Sequence, residues 1–144
     1  MEALRKLNLF VASSAGAPFV ASVLAIVARA LMAYIFIVSG YGKIAGYDAT
    51  VQYMESAGVS GSLLPLVIAL EIGGGVALLV GFQTRLAALA LAIFSVIAAL
   101  IFHTAADPGQ QINFMKNLAM AGGLLGFFLN GAGRWSLDAE HSQS

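Results

Sequence analysis

The stretch LAALALAIFSVIAALIF, residues 86–102, decides the fold. It holds no charge, no amide and no proline, and its one hydroxyl is Ser95. It is too long for a buried strand, and it lacks the polar face of a helix lying on a soluble core. A run of this length and polarity is that of a helix crossing a bilayer, which takes about 17–25 apolar residues. Three more segments read the same way. Residues 19–40 are interrupted only by Arg29, and residues 63–81 contain Glu71. The apolar run 118–129 is too short to span alone. It reaches full length as 112–130 by taking Lys116 and Asn117 into its outer turns, with Lys116 snorkelling toward the headgroups.

Composition agrees. Of 144 residues, 60% are hydrophobic and 10% charged, and the mean hydropathy is +0.89. A soluble domain carries about 25% charged residues. A soluble fold this small exposes too much of its surface to hide so much apolar area. A soluble globular domain and a disordered tail are therefore excluded. Seven basic and seven acidic residues cancel, which leaves no basic patch for nucleic acid. There is no Cys, so disulfides, Cys-ligated zinc or iron–sulfur sites and thiol chemistry by this chain are excluded. No metal-ligand constellation, nucleophile–base pair or phosphate loop is evident.

The expected architecture is all-α: an integral membrane four-helix bundle with spans at about 19–40, 63–81, 86–103 and 112–130. A short interfacial helix should lie between spans 1 and 2, capped by Asp48 and ended by Gly58. Its Val51, Tyr53, Met54 and Ala57 mix with Gln52 and Glu55, as in a helix lying at an interface. Asp107-Pro108-Gly109 reads as a turn. Residues 1–17 read as an uncleaved cytoplasmic lead, because residues 7–12 are short for a signal-peptide core and include Asn8. Residues 135–144 form a tail.

Small residues recur at helical spacing: Gly73, Ala77 and Gly81; Gly122 and Gly126 with Ala119 and Gly123; and Ala88, Ala92, Ser95 and Ala99, continued by His103. Such stripes predict tight antiparallel packing and leave a homo-oligomer open. Arg5, Lys6, Arg85 and Arg134 fall on one side of the bilayer, Lys43 and Lys116 on the other. The basic majority predicts an inner-membrane protein with both termini in the cytoplasm. Trp135 reads as an interface anchor.

Two groups of polar residues are candidates for function. Arg29 and Glu71 lie inside the first and second spans, where an unpaired charge costs several kcal/mol. An Arg29–Glu71 ion pair is the simplest solution, either as a staple fixing register or as a ligand or proton site. The second group gathers toward the outer surface: His103, Lys116 and Asn117, with Lys43 on the same side. Helix ends commonly hold such residues against headgroups and water. The same donors beside an apolar wall of Phe102, Phe114 and Met120 would suit a quinone headgroup, in a groove between the third and fourth spans.

Arg29, Ser39-Gly40-Tyr41-Gly42-Lys43, Glu71-Ile72-Gly73-Gly74, Gly81-Phe82-Gln83-Thr84-Arg85, Phe114-Met115-Lys116-Asn117-Leu118-Ala119 with Gly122-Gly123, and Ser136-Leu137-Asp138 occur in that order. Together they resemble the DoxX family of small bacterial inner-membrane proteins, over residues 19–138. The resemblance implies a four-helix bundle with both ends inside. It also implies a link to quinone-dependent or stress-related membrane oxidoreductases, with a soluble or membrane oxidoreductase as partner. No covalently bound cofactor is expected, and quinone is the candidate ligand. The alternatives are a non-catalytic structural or assembly protein and, less favoured, a small transporter.

Overall fold

The computed structural model describes residues 1–141. Every element among the described residues is helical: α1 (Glu2–Gly16), α2 (Pro18–Ala45), α3 (Tyr47–Ser56), a 3-10 turn (Gly61–Leu63), α4 (Leu64–Val80), α5 (Thr84–Phe102), α6 (Pro108–Asn130) and α7 (Leu137–His141). Four of these are long and apolar enough to cross a membrane: α2, α4 together with the turn before it, α5 and α6. We call the end carrying Pro18, Gly81 and Asn130 the tail end, and the opposite one the loop end.

Local sequence explains the boundaries. Ala17 is extended (φ −58°, ψ 130°), as expected of a residue before proline, and Pro18 opens α2. The first span does not stop at Gly40. It continues through Tyr41, Gly42 and Lys43 to Ala45. As a result α3 begins at Tyr47 behind Gly46, and Asp48 falls inside its first turn with no capping bond. Its charge still meets the favourable end of the helix dipole. Gly58, at φ +79°, lies past the end of α3 as expected. Asp107-Pro108-Gly109 is not a free turn but the start of α6. Asp107 caps it, accepting from the Gln110 N–H at 3.1 Å, and Pro108 takes the first helical position. The fourth span thus has 23 residues.

The bundle is built from two close pairs, α2 with α4 and α5 with α6, joined through α4 and α5. Gly40 brings α2 and α4 together: a methyl group there would meet Ile72 Cγ1 at 2.6 Å and Glu71 Cβ at 3.2 Å. Lower down, the Cα of Gly75 takes the same role against Ile37. Only the stripe on α5 packs along its whole length, with Ala88, Ala92, Ser95 and Ala99 all buried. Gly73, Gly122 and Gly126 touch nothing in their Cβ direction. The buried faces are instead Glu71, Gly75 and Leu78 on α4, and Asn117, Ala121 and Leu124 on α6. In lipid, helices associate by packing rather than by hydrophobic burial, so the face that packs need not be the one richest in glycine. In the tail half, the space between the two pairs is filled by Phe36, Leu78, Leu91, Ala121 and Leu124. In the loop half it is not filled.

Candidate functional site

Extending α2 past Gly40 decides the site. Ser39 and Lys43 are one turn apart on one face of α2, and the close approach at Gly40 lays that face beside Glu71. The Lys43 ammonium is 2.9 Å from each Glu71 carboxylate oxygen, donating a hydrogen bond to Oε1 and making ion contact with Oε2. Lys43 also donates to Ser39 Oγ (2.8 Å), and Ser39 Oγ donates to Glu71 Oε1 (3.2 Å). The Glu71 side chain is only 4% exposed and that of Lys43 26%. The ion pair therefore stands at the edge of the interior. Glu71 Oε2 has ion contact but no hydrogen bond of good geometry.

Beside the pair lies a cavity of about 590 Å³, within the range of small-molecule sites. Lys43, Glu71, His103, Lys116 and Asn117, five of the six candidate residues, line it. Phe36, Leu70, Phe94 and Met120 supply much of the apolar wall. His103 ends α5, and its Nδ1 shares a 2.6 Å hydrogen bond with Gln110 Oε1. Lys116 Nζ donates to Asn113 Oδ1 (3.0 Å), and the buried Asn117 donates to the Asn113 carbonyl (2.9 Å). Phe102, His103, Lys116, Asn117 and Met120, expected to form a groove between α5 and α6, do line this cavity, but α2, α3 and α4 wall it as well. The cavity lies between the two helix pairs, and Phe114 is not among its lining residues. Leu66, Ile97 and Ile101 line it and are also exposed, so it opens on the flank of the bundle between α4 and α5.

Sequence reasoning missed the roof. Thr50, Tyr53 and Met54 of α3 close the cavity at the loop end. Tyr53 stacks on Phe102 (centroids 5.4 Å apart), and its hydroxyl donates to the Phe102 carbonyl at 3.3 Å. It also missed Ser39, although the four-residue spacing of Ser39 and Lys43 was a usable signal.

The family model of DoxX matches residues 15–104. The chain belongs to the DoxX family. It is 50% identical to the inner membrane protein YqjF of Escherichia coli (strain K12) over 114 residues, covering 78% of this chain and 88% of that one. It is 36% identical to the inner membrane protein YphA of the same organism over 125 residues, covering 81% and 89%. No solved structure matches it. Both names agree with the four apolar helices: this is an inner-membrane DoxX protein. The DoxX match contains Arg29, Lys43, Glu71 and His103, while Lys116 and Asn117 lie beyond it.

Arg29 is not part of the cavity, and the expected Arg29–Glu71 pair does not form. With Gly40 beside Glu71, antiparallel register puts Arg29 beside Gly81, ten residues further along α4. That is about 15 Å along the axis. Arg29 is buried and turns toward the tail, where its Nη2 donates to the Trp135 carbonyl at 2.6 Å. Gly81 adopts φ +72°, and a methyl group there would collide with Arg29 Nη1 and Ser136 Cβ. Segments 81–85 and 136–138 close over this point. Asp138 accepts from the backbone N–H of Gln83 (2.7 Å) and Thr84 (2.9 Å) at the start of α5, and its own N–H donates to the Gly81 carbonyl (2.8 Å). Arg85 donates to the Phe128 and Leu129 carbonyls at the end of α6, both at 2.7 Å. These segments make a structural clasp, separated from the cavity by the packed core.

Proposed function

We propose that this protein holds a quinone headgroup in the loop-half cavity and serves as a redox-linked accessory subunit of a membrane oxidoreductase complex. The observation that carries the reading is the convergence of Lys43, Glu71, His103, Lys116 and Asn117 on one apolar cavity that opens toward lipid. A quinone has two carbonyl acceptors on an apolar ring, and this lining offers ammonium, imidazole and amide donors beside aromatic walls. Glu71 Oε2, short of a hydrogen bond, offers an acceptor for a proton. The quinone would supply two-electron redox chemistry when bound. The residues of this chain would bind it, orient it and exclude water. With no Cys, the chain has no thiol relay, so the electrons would come from a partner oxidoreductase.

The test is quinone binding to the purified protein in mild detergent, for wild type, Lys43→Met, His103→Leu and Lys116→Met, each first shown to keep its helicity. Loss of a charge-assisted hydrogen bond worth about 1.5–3 kcal/mol should weaken binding by roughly 10–150-fold. No binding by wild type, or unchanged affinity in all three variants, would remove the reading. A second reading is a structural or assembly protein. It is favoured by the closed Ser39–Lys43–Glu71 triad, which would then fix the register of α2 on α4 in place of the Arg29–Glu71 staple.

The proposed orientation puts the tail end in the cytoplasm, since Arg5, Lys6, Arg85 and Arg134 belong to that end and Lys43 and Lys116 to the other. A reporter fused after Ser144 that is active only in the periplasm would reverse it.

A further inference from the structure

The helix α1 is built from 15 residues and buries none of them. Leu4, Leu7, Phe10 and Val11 are 54–71% exposed on it. At 3.6 residues per turn, Leu4, Leu7 and Val11 fall within an arc of about 60°, with Phe10 extending it. Glu2, Arg5 and Ser13 occupy the opposite side, and Lys6, on the flank one turn before Phe10, pairs with Glu2 at 2.9 Å. Leu9 and Ser14 are the exceptions, an apolar residue on the polar side and a hydroxyl within the apolar arc. This is the pattern of a helix with one face in lipid and the other in water.

Two observations bear on what covers the apolar face. The extended backbone at Ala17 breaks the path between α1 and α2, so α1 does not simply prolong the spanning helix beyond the bilayer. Beside that break, Phe19 meets Trp135 edge-on, with centroids 5.7 Å apart. Aromatic side chains of this kind concentrate at the level of the headgroups. The bend therefore sits at the interface, and α1 starts from it.

We propose that α1 is an in-plane surface helix: Leu4, Leu7, Phe10 and Val11 lie in the headgroup–acyl boundary on the tail side, and Arg5 and Lys6 face the headgroup phosphates. The occupant of the apolar face is the bilayer itself. The inference does not depend on what the cavity binds.

The absence of Cys makes the test clean, because single cysteines can be introduced for labelling without other thiols competing. The full chain is reconstituted in phosphatidylcholine–phosphatidylglycerol nanodiscs with a nitroxide at Leu7→Cys, Val11→Cys, Arg5→Cys or Ser13→Cys. Expected is a helical pattern: labels at 7 and 11 collide mainly with lipid-dissolved oxygen, and labels at 5 and 13 mainly with a water-soluble nickel chelate. Equal access of the nickel chelate to all four positions would overturn the proposal. So would shielding at 7 and 11 accompanied by dipolar coupling between labels, since a second copy of the chain would then be the occupant. Labels are placed on exposed positions of a helix outside the bundle, and retained helicity of each variant confirms that the fold is intact.

Discussion

Removing the Lys43 ammonium should be far more damaging than its position near the helix end suggests. Glu71 is almost fully buried, and three contacts hold its carboxylate: Lys43 to Oε1 and to Oε2, each at 2.9 Å, and Ser39 to Oε1 at 3.2 Å. In Lys43→Met only the neutral Ser39 donor remains. Breaking one partner of a buried pair costs about 3–5 kcal/mol, because the other charge is left uncompensated. Since Lys43 is a quarter exposed and the pair borders a cavity, we expect the lower end, about 3 kcal/mol. In Glu71→Leu the lysine can swing its ammonium toward the loop-end surface, so the cost should be about 1 kcal/mol. The double variant Lys43→Met/Glu71→Leu removes both charges and should lie within about 1 kcal/mol of wild type. The coupling energy of the cycle is then about 3 kcal/mol. The assay is reversible unfolding by sodium dodecyl sulfate in mixed micelles, followed by helicity. If Lys43→Met falls within about 0.5 kcal/mol of wild type, or if the two single costs simply add in the double variant, the ion pair does not hold the loop half together.

Other outcomes follow from the same contacts. Gly81→Ala should cost more than about 2 kcal/mol in the same unfolding assay, from the left-handed backbone and the collision with Arg29, whereas Gly73→Ala, facing open space, should be neutral or slightly stabilising. Arg29→Gln should red-shift the emission of Trp135, the one tryptophan of the chain, while Glu71→Gln leaves that emission unchanged. The stability costs of Arg29→Gln and Glu71→Gln should add within about 0.5 kcal/mol, because the two residues share no partner; strong coupling would revive a direct pair. Asp138→Ala removes the acceptor for two backbone N–H groups at the start of α5 and should cost about 1–2 kcal/mol, read as a lowered midpoint in the same titration.

How far the site was legible shows in particular residues. Lys43, Glu71, His103, Lys116 and Asn117 stand out because polar groups at or inside apolar runs are expensive, and chemistry, not position in the chain, flags them. Their assembly was only half readable. The expected Arg29–Glu71 pair rested on comparable depth counted from the helix ends, and that count used a first span that stopped too early. No local signal separates Tyr41, Gly42 and Lys43 in a loop from the same residues in a last helical turn. The roof from α3 was equally hidden, because Tyr53 and Met54 serve an interfacial helix as well as a cavity lid.

The sequence by itself determined that the chain is membrane-embedded, that it crosses four times, and which side chains are too polar to lie idle there. Length, hydropathy and the cost of charge in hydrocarbon are properties of each segment alone, so they survive without knowledge of its neighbours. Only the tertiary structure decided which helix faces pack, which glycines allow approach, and that Glu71 answers to Lys43 while Arg29 answers to Trp135. Those outcomes depend on the register of one helix against another. A shift of one turn, about 5.4 Å, exchanges every partner while leaving each helix equally apolar. The contact at Gly40 sets that register, and it exists only when α2 and α4 are side by side.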